Sequence, residues 1–144
     1  MSFVAEELNE EQWKAYLALA TKHARVLCLA KLIAVDRKRD IVLLICGGRG
    51  NLPASAGEPP DAYLLIWRGL AVPFDGYRQR EYGEKDEMLV VTVASIGVPK
   101  ALEHEFEEIK SAIKDAIACW HGSIWSKNGA PSNVIVNFPV PHIY

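Results

Sequence analysis

Four stretches of this chain, Arg25–Val35, Ile41–Cys46, Ala62–Val72 and Met88–Ile96, are apolar at odd and even positions alike. A strand points successive side chains to opposite faces, so a sheet wetted on one side alternates apolar with polar residues. Runs without that alternation require cover on both faces of the sheet, or tight curvature. In the first run Val26, Cys28, Ala30, Leu32 and Ala34 fall on one face and Leu27, Leu29, Ile33 and Val35 on the other, interrupted by Lys31. Helix is the rival reading for short apolar runs, and it is disfavoured here by the Val and Ile content and the bounding turn residues. The polar segment Asp36-Arg37-Lys38-Arg39-Asp40 reads as a turn that makes the first two runs a hairpin.

Helices are expected on either side of these strands. Asn9 can cap a helix reaching Ala24, with Glu10 and Glu11 complementing the positive end of its dipole and Trp13, Tyr16, Leu17 and Ala20 forming an apolar stripe. After the fourth run, Gly97-Val98-Pro99 ends the sheet, and Ala101–Trp120 reads as an amphipathic helix. Leu102, Phe106, Ile109, Ile113, Ala116, Ile117 and Trp120 make its apolar stripe, opposite Glu103, Glu107, Lys110, Lys114 and Asp115. Val134–Phe138 reads as a short last strand, followed by a tail whose Pro139 and Pro141 limit pairing. With 144 residues, half of them hydrophobic, one core is the default. The expected fold is therefore a single α+β domain over residues 1–144. It has a mainly antiparallel sheet of about five strands and two packed helices, one N-terminal and one after the fourth strand.

Composition narrows the partners. A formal net charge of −2 gives no general attraction to nucleic acid or anionic lipid. Residues 1–11 hold four glutamates and no secretory signal pattern, and no apolar run approaches a membrane span. The expectation is a cytoplasmic protein with no nucleic-acid or membrane partner. Cys28, Cys46 and Cys119 lie in apolar surroundings and read as reduced core thiols.

No catalytic motif stands out. His104 and Glu108 share a face at helical spacing, but the two-histidine zinc motif needs a second histidine where Glu108 stands, so exposed salt-bridging is the better reading. Cys119 and His121, two residues apart on a helix end, point in different directions. No nucleophile elbow, phosphate loop, paired-cysteine motif or dinucleotide-binding fingerprint is present. No cofactor or metal is expected, and an enzyme has no specific residue in its favour.

The informative polar features lie at the margins of the sheet. Pro73-Phe74-Asp75-Gly76 reads as a turn. Tyr77-Arg78-Gln79-Arg80-Glu81-Tyr82 then reads as a charged edge strand, whose Tyr77, Arg78, Arg80 and Tyr82 are residue types enriched at interface hot spots. Glu81, Glu84, Asp86 and Glu87 come next as a dense acidic patch suited to steering a basic partner. These residues suggest a small protein-binding module, for instance of the bacterial toxin-neutralising (immunity) type, that occludes a partner through charged loops and an edge strand. The alternative is a small enzyme or anion-binding domain with a pocket under the Gly47–Pro60 loop, GGRGNLPASAGEPP. It would use Arg49, Arg68, which interrupts the third apolar run, and one of His104, His121 or His142.

Overall fold

The structure, a computed structural model, describes residues 3–23, 32–46, 61–82, 87–124 and 133–144. In chain order its elements are β1 (Val4–Glu7), α1 (Glu10–Lys22), β2 (Leu32–Asp36), β3 (Ile41–Ile45), β4 (Asp61–Trp67), β5 (Leu70–Tyr82), β6 (Glu87–Val98), a 3-10 helix (Lys100–Glu105), α2 (Phe106–Ile124), β7 (Asn133–Asn137) and β8 (His142–Ile143). Strands β1 to β6 lie side by side in chain order, each antiparallel to the next. α2 then carries the chain back over the sheet, so β7 returns parallel to β6. β8 pairs with the far end of β6, also parallel and at the same sequence offset as β7. Residues 133–143 thus track one edge of β6, with Pro139 and Pro141, which have no N–H to give a ladder, between the two paired stretches.

The doubly apolar strands are explained by one helix on each face. Toward α2, Ala34, Ile41, Leu43, Tyr63, Leu65, Val72, Phe74, Leu89 and Val91 pack with Ile109, Ala112, Ile113, Ala116 and Ile117 of the helix. Toward α1, Ile33, Val35, Val42, Leu44, Leu64, Ile66 and Ala71 form a second core with Ala20, flanked by Trp13, Tyr16 and Leu19. Tyr63 and Phe74 stack within the first core, ring centroids 4.7 Å apart. α1 begins with a reciprocal capping box: Asn9 Oδ1 accepts from the Gln12 N–H at 2.8 Å, and Gln12 Oε1 accepts from the Asn9 N–H at 3.0 Å. Its buried stripe runs through Leu19, whereas Leu17 is 39% exposed.

The sheet departs from the expected five antiparallel strands: it is mixed, and among the described residues it has eight strands. β1 is exposed at both ends and half-buried between them, so its Val-Ala-Glu-Glu sequence carries no apolar run to announce a strand. The apolar run Ala62–Val72 is two strands, because Arg68 (φ 49°) and Gly69 (φ 87°) form a two-residue turn between Trp67 and Leu70. Positive φ at both central positions is the geometry that matches a hairpin's twist. Pro73-Phe74-Asp75-Gly76 is no turn. β5 runs straight through it, with a register shift at Asp75/Gly76. Pro73 is tolerated because the β5–β6 ladder begins one residue later, at Phe74↔Ile96. The 3-10 helix starts the segment expected to be α-helical throughout, and α2 continues it from Phe106.

The described part of the first hairpin matches its expected form, Asp36↔Ile41 closing the turn. Residues 24–31 of that hairpin, with Cys28, lie outside the described residues, as does the 47–60 loop. Cys46 is buried and Cys119 half-buried.

Candidate interaction site

Among the described residues β5 extends past its pairing with β4. The last β4–β5 pair is Asp61↔Gly76, while pairing to β6 continues from Tyr77↔Thr92 to Tyr82↔Glu87. Residues 77–82 therefore have β6 on one side, and among the described residues no strand pairs with their other edge. The overhang starts at the register shift, where Gly76 lets the strands approach. A Cβ at this position would come within 3.3 Å of the Thr92 carbonyl oxygen and of Val91 Cγ1. Irregularities of this kind bend a strand and re-aim the side chains beyond the bend.

Tyr77 stands at the root of the overhang, 50% exposed. Its cross-strand partner Thr92 is exposed too, and the parallel neighbour of Thr92 is the exposed Asn137. One row further, Val90 is half-buried beside Ile135, which is 38% exposed. α1 packs over β2, β3 and β4 and not over this part of the face. The result is an open surface of mixed apolar and small polar residues, with Tyr77 at its edge.

The register divides the expected tyrosine–arginine surface. Arg78 and Arg80 pair with Val91 and Leu89, whose side chains belong to the α2-side core, whereas Tyr77 pairs with the outward-facing Thr92. Strand alternation thus assigns positions 77, 79 and 81 to one face and 78, 80 and 82 to the other. Glu87 opens β6 opposite Tyr82. Glu84 and Asp86 lie outside the described residues.

For the alternative anion site, Arg49 and the side chain of His121 lie outside the described residues. Arg68 sits in the β4–β5 turn, 56% exposed at its side chain. Its guanidinium carbon lies 5.4 Å from the Trp67 ring centroid, and Nη1 is 3.4 Å from Glu105 Oε1. A carboxylate and an aromatic face thus already engage it. His104 is exposed and lies 3.7 Å from Glu103, not paired with Glu108 as expected. The reason is local: His104 belongs to the 3-10 helix, where the spacing of an α-helical face does not apply. His142 opens β8 at the far end of β6. Buried Trp67 Nε1 finds no hydrogen-bond partner among the described residues.

Charged groups gather mainly at the β2–β3 turn. Arg37 forms a two-pronged ion pair with Glu6 of β1, and this hydrogen bonding holds the Glu6 carboxyl below its usual range. Asp36, though buried, accepts from Arg39 Nε and from the Arg39 backbone N–H at 3.2 Å. Burial alone would raise its pKa; the hydrogen bonds and charge of Arg39 outweigh that and leave it lowered. Tyr16 is raised, by burial and then by the Asp40 charge. These pairs fasten β1 and the turn to the sheet.

Among the described residues no group of three His, Cys, Asp or Glu is placed to hold a metal ion, and no helix is long and apolar enough to cross a membrane. Comparison with protein-family models, curated proteins and solved structures finds no match for the chain. The overhang and the open face beside Ile135 went unseen in the sequence. Asp75-Gly76 carries the same signature whether it turns the chain or bulges it, and Ile135 sits in a run whose other apolar residues are core.

Proposed function

We propose that this protein is a small protein-binding module that grips its partner at the β5 overhang and the open face beside it. The observation that carries the reading is the continuation of β5 past Gly76 with one edge unpaired among the described residues and Tyr77 half exposed at its root. Such an edge offers backbone hydrogen bonds to an incoming segment, and a half-exposed tyrosine supplies contact area at small conformational cost. The finer form of the proposal is a toxin-neutralising (immunity) role, with the overhang and the acidic residues Glu81, Glu84, Asp86 and Glu87 occluding the partner's working surface. What supports it is the charge of that segment on a scaffold whose two cores leave function to the margins.

The test is capture from extracts of the native host on immobilised protein, with mass spectrometry of the retained material. Wild type should retain a protein that is lost with Tyr77→Asp and with charge reversal at Glu84, Asp86 and Glu87, while the melting temperature of each variant stays unchanged. Undiminished capture by both variants would overturn the assignment of this surface.

A further inference from the structure

Residues 139–144, Pro-Val-Pro-His-Ile-Tyr, lie along the β6 edge and belong to neither core, Phe138 being the last residue packed against one. Residues 138–141 run opposite 93–96 but pair with none of them, since the ladder stops at Thr92↔Asn137 and resumes at Gly97↔His142. Pro139 and Pro141 have no N–H to donate and keep the connector extended, and Val140 between them is 92% exposed. The segment is held by the pairs Gly97↔His142 and Val98↔Ile143 and by Tyr144.

Tyr144 is seated on the open face. Ile96 and Val98 of β6, and Val72 and Phe74 of β5, belong to the α2-side core, so alternation puts Gly97 and Pro73 on the opposite face. This is the face left open beside Tyr77, Thr92 and Asn137. The β5–β6 ladder begins at Phe74↔Ile96, and Tyr144 bridges the two strands outside it. Its ring fills the space over Gly97, where a Cβ would also lie 3.6 Å from Pro73 Cγ, and its hydroxyl donates to the Ala71 carbonyl. Between this seat and Tyr77 the face is small and polar: Thr92, Ala94 and Ser95 are exposed, and Ser95 Oγ donates to Asp75 Oδ2 at 3.2 Å. Tyr77 stands at one end of the face and Tyr144 closes the other.

Resting on the binding-module reading above, we propose that residues 139–144 are a latch on the partner site. The latch opens without unfolding the sheet, and the seat it vacates takes an extended segment of the partner protein. That segment carries two residues that pair along Gly97-Val98, then an aromatic residue over Gly97, as His142-Ile143-Tyr144 do in the closed form. An unpaired connector, no share in either core and a few rim hydrogen bonds are the features of an element that opens below the cost of global unfolding. The fit of the occupant follows from the segment already in place: the β6 edge supplies backbone pairing, and a position without a Cβ admits the ring. The closed latch competes with the partner and lowers its apparent affinity in proportion to the fraction of molecules that are open.

The test uses the full chain. In wild type the Tyr144 and Lys100 amides, which donate to the Val98 and Tyr144 carbonyls, should exchange with solvent together and well before the β6 amides bonded to β5. Exchange of these two only through global unfolding would overturn the latch, and this readout needs no variant. A fluorescein-labelled Pro-Val-Pro-His-Ile-Tyr peptide, read by anisotropy, should bind Tyr144→Ala about tenfold more tightly than wild type, whose own strap competes. The gain should vanish for the peptide ending in Ala and for the Gly97→Val/Tyr144→Ala protein, with a cooperative urea transition showing that each variant is folded. Equal peptide binding by wild type and Tyr144→Ala would overturn the seat. In capture from host extract, Tyr144→Ala should retain more of the partner than wild type does. A host protein whose capture depends on Tyr77 but is unchanged by Tyr144→Ala would overturn the latch while leaving the binding-module reading intact.

Discussion

The ring of Tyr144 occupies the space above Gly97: a Cβ at position 97 would lie 3.3 Å from Tyr144 Cε1 and 3.4 Å from Cδ1. The same tyrosine donates its hydroxyl to the Ala71 carbonyl oxygen at 2.5 Å, and its backbone N–H donates to Val98 O at 3.0 Å. Its own carbonyl accepts from the Lys100 N–H at 2.8 Å. One residue thus joins the start of β5, the end of β6 and the 3-10 helix.

Gly97→Ala is therefore expected to cost stability because it pushes on the ring, and the cost should shrink once the ring is gone. In a double-mutant cycle with Tyr144→Ala, urea unfolding should give a coupling of about 0.5–1 kcal/mol. Strict additivity would mean that the glycine is not there to seat the tyrosine.

Ile113 is wholly buried in the core between α2 and the sheet, while Phe106, one of the stripe residues expected from sequence, is only half-buried. Phe106 meets Phe138 edge-on at 6.1 Å and lies under Lys110 Nζ at 5.1 Å. Ile113→Ala should cost about 2–5 kcal/mol by leaving a cavity. Phe106→Ala should cost less, about 1–2 kcal/mol, because its site opens to water. Denaturant midpoints at unchanged slope check the order.

The acid limb of stability should depend on Asp36. Its folded pKa lies below its unfolded value, so the native state binds fewer protons. The stabilisation is complete above the unfolded pKa of about 3.9 and is lost as pH falls through the lower folded value. Wild type and Asp36→Asn should differ in melting temperature at neutral pH, with the gap narrowing below about pH 4. A gap that stays constant through acid would show that the carboxylate charge is not what matters.

The strand faces were legible because burial on both sides leaves a direct trace in hydrophobicity: Ala34 and Ile33 were assigned to opposite faces, and they belong to opposite cores. The Asn9 cap was legible for a similar reason, since its chemistry is local. Strand limits were not. Arg68-Gly69 turns the chain between two apolar strands with no polar run to mark the turn, and the parallel placement of β7 depends on how α2 crosses the sheet, which no residue near β7 encodes. The candidate site was half legible. The charged strand 77–82 is where sequence placed it, but its open edge among the described residues follows from the β4 pairing, whose last described pair is Asp61↔Gly76.

The most direct measurement of the central claim is residue-resolved amide hydrogen exchange across residues 77–82 of the free protein. A strand bonded to β6 on one side and open on the other should protect every second amide and leave the alternate ones exchanging fast. Slow exchange at all six positions would mean that another part of the chain already occupies the edge, and would contradict the account.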